Sequence, residues 1–200
     1  MERSMNRRLQ RGRRLLTHGA LIGAGILLVL LGFEHRALDA DFRDYRERQK
    51  RPHAGEYVPP FHGETLEGDE VTLGPGMAAE RQVLFVFNTT CRFCIASLPA
   101  WEDIAVRLGN SGNVRAYGVS YDPLEETSAY VTRHAISFPV LAVEAPRFLS
   151  YYRTRAVPLT LVIDSAGYVL YGRNGTLLQG TAALDSVLTA ALAPDQQARF

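Results

Sequence analysis

The chain has 200 residues, of which 46% are hydrophobic and 22% charged, a balance that suits one globular domain with an appendage. Its formal net charge is +1, and the basic excess gathers at the start, where Arg3, Arg7, Arg8, Arg11, Arg13 and Arg14 face only Glu2. The remainder is close to neutral and nowhere interleaves basic and aromatic residues along one face, which excludes nucleic acid as a partner.

Residues 1–14 read as a basic cytoplasmic N-terminus. The stretch LLTHGALIGAGILLVLLGF, residues 15–33, carries no acid, Lys or Arg and has about the length a helix needs to cross a bilayer. With the arginines before it and a mixed-charge flank after it, the positive-inside rule keeps the N-terminus in the cytoplasm and sends the rest across. A transmembrane signal anchor is therefore expected at 15–33. The competing reading is a cleaved secretory signal, for which Ala37 to Ala40 (ALDA) lacks the small-x-small cleavage pattern. Residues 34–56 are mostly charged and read as a juxtamembrane linker with a solvated face.

From Tyr57 to the end the pattern is that of one folded domain. VPPFHGETLEGDEVTL reads as a hairpin turning at Glu67-Gly68-Asp69. QVLFVFN, Gln82 to Asn88, is a continuous apolar run of the kind expected for a central strand buried on both faces. Beyond the cysteines, Ile95, Leu98, Trp101, Ile104, Ala105 and Leu108 recur at three- and four-residue steps, giving a helix that ends near Gly109 and is bent by Pro99. VRAYGVS is the next strand, and PLEETSAYVTRHA a helix with Pro123 near its start and acids in its first turn. FPVLAV, LTLVID and YVLYGR read as strands, the last two joined by a turn at Ser165-Ala166-Gly167, while PRFLSYYR and TAALDSVLTAALA read as helices. Strands alternating with helices and closing on a hairpin predict an α/β fold with a mixed sheet.

NTTCRFC, residues 88–94, holds the only two cysteines. Cys91, between a buried strand and a helix, lies near unpaired backbone N–H groups and the positive end of the helix dipole, which favours its thiolate. Arg92 adds a positive charge that favours it further and shifts the pair toward the oxidising side. Three residues on, Cys94 lies on the same helix face, within about 5 to 6 Å, so a disulfide closes with little movement. Cys91 can then attack a substrate disulfide and Cys94 can resolve the mixed intermediate. Two other readings stand beside this one. A zinc site would need more ligands, and the histidines, His18, His35, His53, His62 and His134, supply no closely spaced pair. Two inert core thiols are the other.

These segments together resemble the thioredoxin-like superfamily and, within it, the membrane-anchored thiol-disulfide oxidoreductases of the TlpA/ResA type, over about residues 57–192. The resemblance rests on the opening hairpin, the apolar strand running into Cys91-Arg92-Phe93-Cys94, Pro99, the GVSYDP stretch and RAVPLTLVIDSAGYVLYG. It implies a redoxin domain at 57–200 with a central mixed sheet flanked by helices and preceded by one transmembrane helix. It also implies a cis bond before Pro158, with substrate backbone docking there and contacts from Thr90, Phe93 and Val157. No metal and no cofactor are implied beyond a redox-active Cys91–Cys94 disulfide. The implied partners are protein substrates bearing thiols or disulfides, a transmembrane thiol electron donor, and the membrane through the N-terminal helix. The implied location is the bacterial inner membrane, single-pass, with the C-terminal domain in the periplasm, and apocytochrome c maturation is one implied task.

Two departures from the family stand out. Thr90 occupies the place of a usual Trp, and Phe85 and Ser97 occupy places where members carry a buried acid, so proton transfer from Cys94 would run through water, Ser97 or Thr89. Peroxiredoxins share the fold, but Leu84 and Asn88 stand where their Pro-x-x-x-Thr-x-x-Cys pattern has Pro and Thr. A thioredoxin-like copper assembly factor uses two cysteines one residue further apart and a later His, whereas no His follows His134. A non-catalytic docking module is the remaining alternative.

Overall fold

The structure, a computed structural model, describes residues 23, 25–27, 29–33, 36, 52–109 and 111–193. The chain divides into two compact units, Met1–Glu47 and Arg48–Phe200. In the first unit the described residues are helical, and Ile26, Leu27, Val29, Leu30, Leu31 and Phe33 are exposed. Among the described residues no helix is long and apolar enough to cross a membrane. The basic segment 1–14 and much of the expected span 15–33 lie outside the described residues, as does most of the linker.

The second unit begins earlier than the charge pattern indicates. Residues 52–56, assigned above to the linker, are part of the fold: Pro52 is buried, Gly55 N–H donates to the Val169 carbonyl at 2.8 Å, and Val169 N–H donates to the Glu56 carbonyl at 2.8 Å. Glu56 also pairs with Arg153 at 2.6 Å. Here backbone pairing, which composition does not reveal, outweighs the polar character of the residues.

Among the described residues seven strands and four helices follow in the order β1 (Phe61–Glu64), β2 (Glu70–Leu73), β3 (Arg81–Phe87), α1 (Arg92–Gly109), β4 (Val114–Ser120), α2 (Leu124–His134), β5 (Val140–Ala142), α3 (Ala145–Tyr151), β6 (Leu159–Asp164), β7 (Val169–Asn174) and α4 (Ala182–Leu192). The hairpin β1–β2 stands as its own antiparallel pair, and the main sheet runs β5-β4-β3-β6-β7. β3 pairs with β4 in parallel and with β6 antiparallel, so the sheet is mixed as expected.

β3 is buried along its whole length because both its faces meet apolar layers. Val83, Phe85 and Phe87 point to one side, where α1 supplies Cys94, Leu98, Trp101, Ile104 and Leu108 and α4 supplies Leu184 and Val187. Leu84 and Val86 point to the other, against Phe61 and Leu73 of the hairpin and Phe148 and Tyr152 at α3. The period of two thus explains an unbroken apolar run. On α1 the buried face includes Cys94 and Ser97, whereas Ile95, expected on the apolar face, is 42% exposed.

Polar groups at the sheet's far end are satisfied locally. The Arg81 guanidinium caps the C-terminus of α4 by donating to the carbonyls of Ala190, Ala191 and Ala193. Asp164 Oδ1 accepts from the N–H groups of Ala166 and Tyr168 at 3.0 and 2.8 Å, closing the β6–β7 turn. Gly167 fits that turn because its φ is +90° and a Cβ would lie 2.4 Å from Pro75 Cγ and 2.9 Å from the Val58 carbonyl oxygen.

Candidate active site

Strand order places the cysteines. β3 and β4 are parallel with Phe87 opposite Ser120, so the segments leaving both strands, Asn88–Cys91 and Tyr121–Asp122, emerge at the same sheet edge. β6 runs the other way with Leu159 opposite Val86, which brings the segment entering it, Val157–Pro158, to that edge as well. Carboxyl ends of parallel strands are where open α/β sheets put their sites.

Cys91 immediately precedes α1 and is half-buried, and both cysteines are free thiols. Its sulfur accepts the backbone N–H of Cys94 at 3.2 Å, an N–H at the helix start that also donates to the Cys91 carbonyl at 3.0 Å. Its thiol also faces the Val157 carbonyl oxygen at 3.8 Å, and the Val157–Pro158 peptide bond is cis. Pro158 is buried, Val157 half-buried, and Asn174 Nδ2 holds the preceding Ala156 carbonyl at 2.7 Å. Cys94 lies behind Cys91 with no exposed surface. Cys91, Cys94, Val157 and Pro158 therefore form one cluster.

The remaining predicted residues lie outward. Phe93 is 52% exposed, and the Arg92 guanidinium lies over its ring at 4.9 Å. Thr90 is exposed and its hydroxyl bonds Asn88 Oδ1 at 3.3 Å. Ser97, a predicted proton route, is already committed: its hydroxyl donates to the Phe93 carbonyl at 3.1 Å and accepts the Leu177 N–H at 3.0 Å. It ties α1 to the segment before α4.

Three residues were not singled out from the sequence. Asp122 Oδ2 accepts the Thr89 N–H at 2.5 Å, Asn88 Nδ2 donates to the Tyr121 hydroxyl at 3.0 Å, and together these bonds hold the segment ahead of Cys91 against the end of β4. The signal for them was the Tyr-Asp-Pro run after a parallel strand, which marks the functional edge once the strand order is known. Among the described residues no group of three or more His, Cys, Asp and Glu is placed to hold a metal ion.

Burial pushes the Cys94 thiol well above its usual 9.0, the adjacent Cys91 side chain and the Asp122 charge push the same way, and the Asn88 backbone opposes them. Cys94 is accordingly a neutral thiol at physiological pH. Unfolded, the same thiol ionises near 9.0, so above that pH the unfolded chain binds fewer protons and stability falls as pH rises. The slope approaches about 1.4 kcal/mol per pH unit, while below pH ~9 the contribution is fully present. Urea midpoints of the reduced protein are expected to fall more steeply between about pH 9 and 11 than those of the oxidised protein, whose Cys94 has no proton to lose. Tyr152, pushed up by burial alone, adds the same alkaline loss to both forms, whereas the charges of Cys94 and Cys91 help to raise Tyr130 only while both are thiols. Equal slopes for the two forms would show that Cys94 ionises alike folded and unfolded.

The AhpC/TSA family model matches residues 54–171, more than half of the chain. Among solved structures, StoA from Bacillus subtilis is similar at 14% identity, covering 60% of this chain and 91% of that one with a TM-score of 0.54. The thioredoxin domain of a thiol-disulfide oxidoreductase from Bacteroides vulgatus is similar at 17% identity, covering 69% and 97% with a TM-score of 0.58. Peroxidoxin BcpB from Mycobacterium tuberculosis is similar at 17% identity, covering 72% and 100% with a TM-score of 0.59. No curated protein matches the sequence. At these identities the structures establish a thioredoxin-like fold.

Proposed function

The chain belongs to the AhpC/TSA family, and from that premise we propose that it is a membrane-tethered thiol-disulfide oxidoreductase exchanging electrons with cysteine pairs of exported proteins through Cys91 and Cys94. The observation that carries this reading is the asymmetry of the pair: Cys91 is half-buried at a helix N-terminus with a backbone N–H on its sulfur, and Cys94 is a buried thiol behind it. The Cys91 thiolate attacks a substrate disulfide, one substrate sulfur leaves, and a mixed disulfide forms. Cys94 then loses its proton, attacks the Cys91 sulfur, and the second substrate thiolate departs. A transmembrane thiol donor returns the oxidised pair to the dithiol. Run in reverse, the same steps oxidise a substrate.

Substrate backbone docks beside Val157 and the cis Pro158, with Thr90 and Phe93 on the exposed rim as contacts. The exposed apolar side chains on the helical residues before Glu34, among them Ile26, Leu30 and Phe33, support tethering. The domain would then work in the periplasm, anchored to the bacterial inner membrane, where disulfides persist, and apocytochrome c is one substrate of the required chemistry.

The test is a redox titration of the full-length protein in detergent, in glutathione and dithiothreitol buffers, with free Cys91 and Cys94 alkylated and counted by mass. A reversible two-electron transition is expected. A midpoint near about −270 mV assigns a reductant, and one above about −180 mV an oxidant or isomerase; no reversible transition removes the proposal. The likeness to a peroxidoxin favours a second reading, peroxide reduction at Cys91. Dithiothreitol-dependent consumption of hydrogen peroxide at a rate exceeding disulfide exchange would put that reading first.

A further inference from the structure

β4 is longer than the strand beside it. It pairs with β3 from Val114 to Ser120 but with β5 only from Gly118 to Ser120. The Gly118 N–H donates to the Pro139 carbonyl at 2.8 Å, and the Ser120 carbonyl accepts the Val143 N–H at 2.8 Å. Even-numbered residues of β4 therefore turn their backbone groups toward β5, and the period of two gives Ala116 the same direction. Among the described residues nothing meets the Ala116 N–H or carbonyl on that side. Other edges of the sheet are covered. The hairpin lies on β5 through the Thr65–Leu141 bridge and the Leu66 N–H bond to the Val140 carbonyl, and Gly55 and Tyr57 lie on β7. An exposed strand edge is a template for another chain, so a stretch left open beside covered ones calls for a reason.

The gap left by the short β5 is a cavity of about 470 Å³, a volume within the usual range of ligand pockets. The β4 edge forms its floor, and its two walls differ. Side chains alternate along β4, with Val114 and Ala116 packing into the α1 layer and Tyr117 into the hairpin layer. On the α1 side the wall is apolar, made by Ala105, Phe138 and Val106, the last 64% exposed. On the hairpin side the exposed Asp69 and Glu70 stand with Arg115, so acid exceeds base.

We propose that this open edge binds an extended segment of a partner protein as an added strand, its apolar residues alternating with basic ones. A row of free N–H and carbonyl groups is matched by another peptide backbone, which is how sheet edges take peptides. The free stretch from Val114 to Tyr117 has room for about four residues, or ~13 Å of strand. A residue opposite Ala116 points its side chain to the apolar α1 wall, and its neighbours point theirs to the acids. A second copy of this chain offers only the same recessed edge, held back by its own hairpin and α1. A single extended segment meets no such obstacle. The inference goes beyond the exchange reading, since neither cysteine takes part.

The test titrates the full-length protein in detergent with fluorescein-labelled Val-Lys-Val-Lys-Val amide. Binding is read by anisotropy, and exchange of the Ala116 amide with deuterium by NMR. The lysine peptide is expected to bind roughly three- to tenfold tighter than Val-Glu-Val-Glu-Val, the scale of a few exposed charge pairs. At about nine-tenths saturation, Ala116 exchange slows about tenfold, because only the free fraction opens to solvent. N-methylation separates backbone pairing from side-chain contact, since the valine and lysine amides of one strand face opposite ways. Methylating one set weakens binding about tenfold or more, and methylating the other changes it less than about twofold. Glu70→Lys reverses the charge preference, so the glutamate peptide binds the tighter; should that variant unfold, the methylated peptides on the wild-type chain decide alone. Absence of binding at millimolar peptide overturns the proposal. Binding that leaves Ala116 exchange unchanged, or equal loss from both methylated peptides, overturns strand addition. Equal affinity for the lysine and glutamate peptides overturns the charge assignment. Ala116 exchange that is slow without peptide and speeds on dilution makes a second copy the occupant and overturns the proposal as well.

Discussion

Cys91→Ser is expected to abolish disulfide exchange, lowering the rate by about a thousandfold or more, whereas Cys94→Ser is expected to leave the first attack intact and stop at a stable mixed disulfide. The two thiols differ in access, and that difference sets the outcome. Cys91 is half-buried and its sulfur receives the Cys94 N–H at 3.2 Å, so negative charge on it meets a donor already in place. A serine hydroxyl there does not ionise near neutral pH and cannot form the sulfur–sulfur bond on which the reaction depends. Cys94 has no exposed surface and cannot meet a protein substrate directly; it reaches only the sulfur in front of it. Replacing it with serine removes the second nucleophile and leaves the first. The check is mass spectrometry after mixing each variant with a disulfide-bonded peptide: a covalent adduct accumulates with Cys94→Ser and none with Cys91→Ser. Adducts on both variants, or exchange activity surviving in Cys91→Ser, would reverse the roles or remove them.

The features legible in the sequence are those that repeat locally. The unbroken apolar run at Val83–Phe87 marks a strand covered on both faces, and LTLVID delimits β6 (Leu159–Asp164) because a turn follows it directly. The Cys-x-x-Cys spacing announces its geometry in the same way, since three residues along a helix bring side chains to one face. Features that depend on strand order were not legible. Asp122 reaches the Thr89 N–H only because β3 and β4 lie side by side and in register, and nothing in the residues near Asp122 says so. Glu102 on α1 accepts the Ser137 N–H at 2.9 Å and pins the segment before β5, a partner 35 residues away that its sequence neighbours do not announce. Ser97 reads as a route for a proton, yet its hydroxyl is a tie between α1 and Leu177. A short polar side chain reveals its role only through its partner, and its partner lies 80 residues away in the chain.

The same dependence on distant partners makes Trp101 a residue whose truncation is expected to disturb the fold strongly. Trp101 has no exposed surface; its indole stacks on Phe85 with centroids 5.2 Å apart and lies 6.4 Å from the Phe87 ring. Its Nε1–H donates to Thr160 Oγ1 at 3.1 Å, and Thr160 lies on β6 opposite Phe85, next to the strand's first residue, Leu159. The side chain thus joins α1, which carries Cys94, to the strand that directly follows Pro158. Trp101→Ala removes the indole from a close-packed layer and leaves the Thr160 hydroxyl, 1% exposed, without its donor. Large-to-small changes of this kind cost about 3–5 kcal/mol, against a total of roughly 5–15 kcal/mol for an ordinary domain. Trp101→Phe keeps a ring against Phe85 but loses the hydrogen bond and part of the volume, so a loss of about 1–3 kcal/mol is expected. Trp101 is the only tryptophan in the chain, so unfolding of the variants must be followed by far-ultraviolet circular dichroism in urea rather than by indole fluorescence. A loss below about 1 kcal/mol for Trp101→Ala would mean that Phe85, Phe87 and Phe138 collapse into the space, and that the layer behind Cys94 is softer than its ring contacts indicate.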